Sequence, residues 1–386
     1  MQYRREVLEV KESPMIQIAA LAESLPDVVK VCYGEPDSAT PEFICRAAYE
    51  ASLAGHTGYT HTAGSKEFRE AVAAKFHELQ GMPCRGSEVL GTIGASAGIF
   101  LAARTCTGPG DNAIVIAPTY AIFATCVEMS GGEARLVPLL RDGNRFRLDL
   151  DRVRAAIDKN TRMLIVNSPS NPTGWVIRPE EQEALVEIAR QHDLVLLSDE
   201  VYERLSFEQE VAPSIARFDE KREHVLVVNS LSKTYSMTGW RLGWAIGNEH
   251  IIELMTKAAE FITSNPPAPT QQAAIVAFRE GEAYVRQIRQ EYAARRELVM
   301  KELSSIPGIS LPVPGGAFYA FPYIEGLRDS TTLARQLVTE AGVAMTPGVA
   351  FGPSGEGHIR LCFAAAEKTL RTALDRFKKF MIQRKG

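Results

Sequence analysis

A chemical reading of this chain turns on Lys233. It lies in SLSKTYSMTGWRLGW (230–244), among the hydroxyls of Ser230, Ser232 and Thr234, eight positions before Arg241. The run before it, VLVVN (225–229), is apolar and largely β-branched, which suits a buried strand. A lone Ser-x-x-Lys is most often a solvated loop. A lysine delivered by a buried strand into a hydroxyl-lined turn has a second use, because its amine is a nucleophile toward a carbonyl compound.

Other apolar runs end in the same manner. RMLIVN (162–167) leads into SPSNPTG, which carries Asn171. LVLLS (194–198) leads into DEVY, with Asp199 and Tyr202. NAIVIA (112–117) leads into PTY, with Tyr120. TIGASAG (92–98) is a small-residue turn opening a helix, and holds Ala95 and Ser96. Singly, each has an ordinary explanation: an Asp as a helix cap, Asn-Pro-Thr-Gly as a turn, a tyrosine as packing. In an open α/β sheet, however, ligands bind beyond the carboxyl ends of the strands, so the five segments converge on one rim. They also form a coherent chemical set. A lysine amine forms a Schiff base with an aldehyde. A carboxylate pairs with a protonated ring nitrogen. A helix N-terminus of small residues cradles a phosphate, which hydroxyls and an arginine complete. An aromatic face stacks on a planar ring. Aldehyde, ring nitrogen and phosphate on one molecule describe pyridoxal 5'-phosphate.

The elements that must position these groups are legible as a rhythm. NAIVIA, RMLIVN, LVLLSD (194–199), VLVVN and LGWAIG (242–247) are continuous apolar runs, as in a parallel or mixed sheet covered on both faces. Helices are expected at FICRAAYEASLAG (43–55), at PEEQEALVEIARQHD (179–193) and at KEFREAVAAKFHELQG (66–81). In the last, Phe68, Val72, Phe76 and Leu79 share a stripe and Gly81 marks the stop. The alternation predicts an α/β architecture with helices on both faces. Three prolines in SNPPAPT (264–270) interrupt it. A long helix over about 282–304, strand-like GGAFYAF (315–321) and GHIRLCFA (357–364), and a last helix near 367–383 read as a smaller α+β domain. The expected division is 45–280 for the large domain, and 1–44 with 281–386 for the small one. A length of 386 residues suits two such domains.

Composition narrows the class. The chain is 45% hydrophobic with a formal net charge of −4, so no basic excess points to nucleic acid. No apolar run approaches a bilayer span, and MQYRREVLEVKES lacks the apolar stretch of a signal peptide. A cytoplasmic protein is expected. Cys32, Cys45, Cys84, Cys106, Cys126 and Cys362 show no zinc spacing. They read as reduced, buried small hydrophobes, and no metal is expected.

With these motifs in order, the chain resembles the class I/II aminotransferases of fold type I, close to the aspartate aminotransferases. SNPTG, SDEVY, SLSKTYSMTGWRLGW and HIRLCFA stand in the family's order and spacing, and the likeness runs from GEPDSATPEF (34–43) to the final helix. The resemblance implies a large domain with a mostly parallel seven-stranded sheet between helices. It implies that Lys233 is the Schiff-base lysine and moves the proton at the substrate α-carbon. Asp199 is implied as partner of the pyridine nitrogen, Tyr202 and Asn171 of the ring oxygen, and Tyr120 as the stacking aromatic. Ala95, Ser96, Ser230 and Arg241 are implied as the phosphate cup. Tyr59, in GYTHTAG, resembles a tyrosine that reaches a phosphate across a subunit interface, which implies a homodimer with shared active sites. Arg360 resembles the arginine that takes the substrate α-carboxylate, and Gly34 the glycine lining the substrate side.

The chain departs from the family at Ser96, where many bacterial aspartate aminotransferases of this branch carry a lysine for the distal carboxylate. Met15, Ile16, Tyr33 and Ile122 are expected near the substrate, and all are apolar or aromatic. An uncharged or aromatic amino acid is therefore the expected substrate, with a 2-oxo acid as acceptor. The same scaffold also supports β-elimination, decarboxylation, racemisation or oxidation. A non-catalytic sensor, like those fused to bacterial transcription regulators, is disfavoured because no basic recognition helix precedes the fold.

Overall fold

One seven-stranded sheet organises the computed structural model, which describes residues 3–384. Its spatial order is Val89–Thr92, Gly243–Ile246, Val225–Ser230, Val195–Asp199, Thr161–Asn167, Asn112–Ala117, Glu133–Pro138. Neighbours from Val225–Ser230 to Glu133–Pro138 pair in parallel. Gly243–Ile246 is antiparallel to both of its neighbours. Every residue of Asn112–Ala117, Val225–Ser230 and Gly243–Ile246 is buried, so their sequences are continuous apolar runs and not alternating ones.

The reversed strand has a positional effect. Gly243 pairs with Ser230 on one side and Thr92 on the other. It therefore starts where its neighbours end. Arg241, two residues earlier, reaches the rim that also carries Lys233 and the turn after Thr92. Asn167 and Asp199 are register partners on adjacent parallel strands and leave the sheet side by side.

The expected helices form with identifiable caps. Lys66–Gln80 starts at Ser65, whose hydroxyl accepts from the Phe68 amide, buries Phe68, Val72 and Phe76, and stops at Gly81 with φ 72°. Leu79, expected on the stripe, is only half-buried. Pro179–Gln191 opens on proline, and the Glu181 carboxylate accepts from the Arg178 and Leu148 amides. The long helix is Glu282–Ser304 and the last is Glu367–Gln383. The proline run is a corner between helices. Glu249–Thr263 ends at Ser264, and Ala268–Glu280 begins at once with Pro269 in its first turn, where a missing N–H costs nothing.

Two sequence expectations change. Only Tyr319–Ala320 of GGAFYAF pairs regularly, with Ile359–Cys362, because Ala317 takes a left-handed φ of 59° that breaks the run. Nor are the cysteines uniformly buried: Cys32, Cys126 and Cys362 are, Cys84 and Cys106 are partly so, and Cys45 is exposed. On the helix Glu42–Leu53, Ile44 takes the inward face and its neighbour Cys45 turns outward.

A second core forms away from the sheet. It packs Ile18, Ala22 and Val31 with Tyr292, Phe318, Leu337 and Phe377, and Val29–Lys30 pairs in parallel with Val343–Ala344. On this packing we propose the two-domain division given above; residues 1, 2, 385 and 386 lie outside the described residues. Among the described residues no helix is long and apolar enough to cross a membrane.

Near the far end of the sheet, buried Arg222 donates to buried Glu88 at 2.6 Å. Removing one member of a buried pair strands the other charge. Glu88→Ala is expected to lower unfolding free energy by about 3–5 kcal/mol, read from urea denaturation, and the apolar double variant Arg222→Met/Glu88→Met to recover part of the loss.

Candidate active site

The rim of the sheet opens into a cavity of about 230 Å³ between the two cores. Thirteen expected residues line it: Met15, Gly34, Ala95, Ser96, Tyr120, Ile122, Asn171, Asp199, Tyr202, Ser230, Lys233, Arg241 and Arg360. Five strand ends and the strand Ile359–Cys362 supply most of them, so the site is assembled from segments far apart in sequence.

One end of the cavity is built for an anion. Ala95–Cys106 starts here, with Gly94 before it at φ 81°. The first amides of a helix have no partner within it, and its dipole favours negative charge. Ser96 and Ser230 bring hydroxyls. Arg241 is held by a bond from Nη1 to the Thr238 carbonyl at 2.7 Å. A Cβ on Gly94 would fall on the Arg241 guanidinium, so glycine is required both for its backbone angle and for the arginine's approach.

The middle holds two opposed ionisable groups. Asp199 is buried, and its Oδ1 accepts from the Val201 amide at 3.1 Å. Burial pushes its carboxyl up to about 7, against the pull of the Val201 amide and Lys233. Lys233 Nζ donates to the Gly34 carbonyl at 2.7 Å, and burial brings the amine down to about 8. Among the described residues, neither group has an ion-pair partner at close range. A carboxylate so placed fits a cationic ring nitrogen, and a lysine so lowered fits a nucleophilic amine. Together with the anion cup, these residues fit pyridoxal phosphate. Behind Asp199, Glu200 is also buried; its Oε1 accepts from Ser198, Ser214 and the Ile215 amide, and burial pushes it to about 8.

The third part surrounds Arg360, a guanidinium sealed inside the strand Ile359–Cys362. It donates to Asn171 Oδ1 at 2.9 Å, to Thr346 Oγ1 at 3.1 Å and to the Cys32 carbonyl. The rings of Tyr319 and Phe351 lie 4.6 and 4.9 Å from its Cζ. Among the described residues, none of its partners is a carboxylate. The expected alternative, an ion pair with a protein acid, is not what the structure contains. The charge is oriented and desolvated, and it suits an anionic ligand.

Three expected residues lie outside the cavity. Tyr33 donates to Glu23 Oε1 at 2.5 Å and faces another recess. Ile16 is 60% exposed and lines a larger adjoining cavity; its neighbour Met15 reaches the cleft instead. Tyr59 is 90% exposed and lines no part of this chain's cleft. Sequence reading passed over Asn167, Thr238 and Tyr319, all of which line the cavity. Asn167 had a visible signal as the polar residue closing an apolar run. It accepts from the Asn171 amide and donates to the Asp199 carbonyl, tying two site loops together.

A raised carboxyl makes folding less favourable where the unfolded chain is ionised and the folded one is not. For Asp199 that cost begins near the unfolded value of 3.8, grows to about 7 and is constant above. Cofactor-free Asp199→Asn is therefore expected to melt at a higher temperature than the cofactor-free parent at pH 8. The gain should shrink as pH falls from 7 toward 4, in melts followed by circular dichroism.

Comparison with known proteins identifies the family. The family model described as aminotransferase class I and II matches residues 26–377. An aspartate aminotransferase of Pyrococcus horikoshii is 35% identical over 376 residues, 97% of this chain and 95% of that protein. Aromatic-amino-acid aminotransferase 2 of Thermococcus litoralis is 35% identical over 381 residues, 97% of each. The solved structure of Thermus thermophilus aspartate aminotransferase with maleate superposes with a TM-score of 0.92 at 36% identity, covering 98% of this chain and 99% of that one.

Proposed function

The chain belongs to the class I and II aminotransferases, and from that membership we propose which residues of its cleft do what, and which side chain it accepts. It is a pyridoxal-phosphate-dependent aminotransferase, moving an amino group from an amino acid to a 2-oxo acid. When bound, the cofactor supplies an electron sink for charge developing at the substrate α-carbon.

The chain's own residues supply binding and proton transfer. Lys233 Nζ takes the α-proton and gives it back; its lowered basicity matches that task. Asp199 holds a proton on the ring nitrogen. Tyr202 and Asn171 address the ring oxygen, and Tyr120 stacks on the ring. Ala95, Ser96, Ser230 and Arg241 hold the phosphate. Arg360 takes the α-carboxylate bidentately, with Gly34 beside it.

The observation that carries the substrate class is a count of cations. Among the described residues, Lys233, Arg241 and Arg360 are the cations lining the cleft, and each already has a task. Met15, Ile99, Ile122 and Phe123 line it too. Ser96 offers a hydroxyl where a second carboxylate would need a charge. This supports an uncharged or aromatic L-amino acid as substrate. The aromatic-amino-acid relative at 35% identity is consistent with that choice.

A homodimer is the proposed assembly. Tyr59 and Phe261, 90% and 88% exposed, suit a surface covered by a second copy, with Tyr59 reaching the partner's phosphate. A cytoplasmic setting fits six unbridged cysteines. Sedimentation at micromolar concentration should give twice the chain mass.

Three variants test the roles. Lys233→Ala is expected to lower turnover by roughly four orders of magnitude; normal turnover would sink the assignment. Arg360→Ala should cost roughly 30- to 5000-fold in kcat/KM, the range for stranding a buried charge partner. Ser96→Lys should raise kcat/KM for aspartate relative to phenylalanine by about tenfold. A parent enzyme that already prefers aspartate would overturn the apolar-substrate reading.

A further inference from the structure

Tyr319 lines the cleft but belongs to none of the groups assigned so far. Its side chain is fully buried. It sits on Tyr319–Ala320, which pairs with the strand carrying Arg360. Its ring face lies 4.6 Å from the Arg360 guanidinium carbon. Its hydroxyl is 2.8 Å from the Tyr202 hydroxyl, and the two rings meet edge to face with centroids 5.8 Å apart. Gly34 makes the placement possible, since a Cβ there would fall on the Tyr319 hydroxyl. One side chain thus touches both the arginine assigned to the substrate and the tyrosine assigned to the cofactor.

Between two phenols either oxygen can donate, and a third group decides. An anionic ring oxygen in front of Tyr202 takes Tyr202 as its donor. Tyr202 then has only lone pairs to offer behind, and Tyr319 must donate to them. A donor chain of this kind strengthens each member. The cation over the ring face draws electron density from the phenol and favours its giving the proton.

We propose that Tyr319 is a positioning residue linking the two ends of the cleft: its hydroxyl donates to Tyr202, and its ring fixes the plane of the Arg360 fork. This rests on the roles given above to Tyr202 and Arg360. A carboxylate on Arg360 weakens the pull on the phenol, so substrate binding is felt at the ring oxygen through Tyr319. By linkage, the effect is reciprocal.

The test is a pH titration of the visible absorbance of the substrate-free holoenzyme. The charged and titratable groups around Lys233 are Glu35, Asp199, Arg360 and Cys362; those around Tyr319 are Arg360, Cys362, Tyr202 and Tyr120. Tyr319→Phe removes none of them and takes away only the hydroxyl that faces Tyr202. It weakens the support of the ring oxygen, so the lysine-linked cofactor becomes more basic and the midpoint is expected to rise by roughly 0.5 unit. Tyr202→Phe should raise it further, and the double variant no more than Tyr202→Phe alone. The Kd for 3-phenylpropionate, a carboxylate without an amine, should stay within about twofold in Tyr319→Phe and rise about tenfold in Tyr319→Leu, which lacks the ring. An unchanged midpoint in Tyr319→Phe, beside a normal parent titration, overturns the proposal, as does a shift that persists in the Tyr202→Phe background. A parent without a visible band would instead remove the Lys233 reading, and the link with it.

Discussion

A guanidinium buried without an acid partner is the constraint on which the cleft depends. Desolvating a charge costs several kcal/mol even after relaxation, and Arg360 recovers only part of that from Asn171, Thr346, a carbonyl and two aromatic faces. On the role proposed for Arg360, a substrate carboxylate offsets the deficit. Asp199 and Lys233 repeat the pattern, each buried and each short of a counter-charge. Asp199 and Arg360 suit ligand groups of opposite charge, and the lowered Lys233 amine suits a carbonyl carbon.

The sheet makes such a deficit tolerable. Its buried strands hold the site residues and loops at their ends in fixed register. The antiparallel strand Gly243–Ile246 matters as much as the parallel ones. If it ran the other way, Arg241 would enter at the opposite edge and the anion cup would lose its cation.

Much of this was legible in the sequence, for reasons that differ by residue. Continuous apolar runs identified strands because both faces are covered. Ser65 and Gly81 marked helix ends through caps that act locally. Asp199 stood out because it follows a run directly, and Lys233 and Asn171 because each lies four positions after one. Strand order was not legible, since pairing joins distant segments. Tyr33 and Ile16 were misplaced by one residue's rotation: beside each, Gly34 or Met15 lines the cleft instead. Tyr319 was hidden because its neighbours in sequence are apolar, and its partners Arg360 and Tyr202 meet it only in three dimensions.

The cavity draws its two ends from different parts of the chain. The cofactor end comes from strand termini locked in a buried sheet. The apolar end comes largely from Met15, in the helix Pro14–Ser24, and from Ile122 and Phe123. The two ends rest on different elements, so a substitution at the apolar end need not disturb the strand termini at the other. A lineage with such a scaffold can diverge in the metabolites it handles while its reaction stays fixed, and duplicated copies need only a few substitutions to part ways.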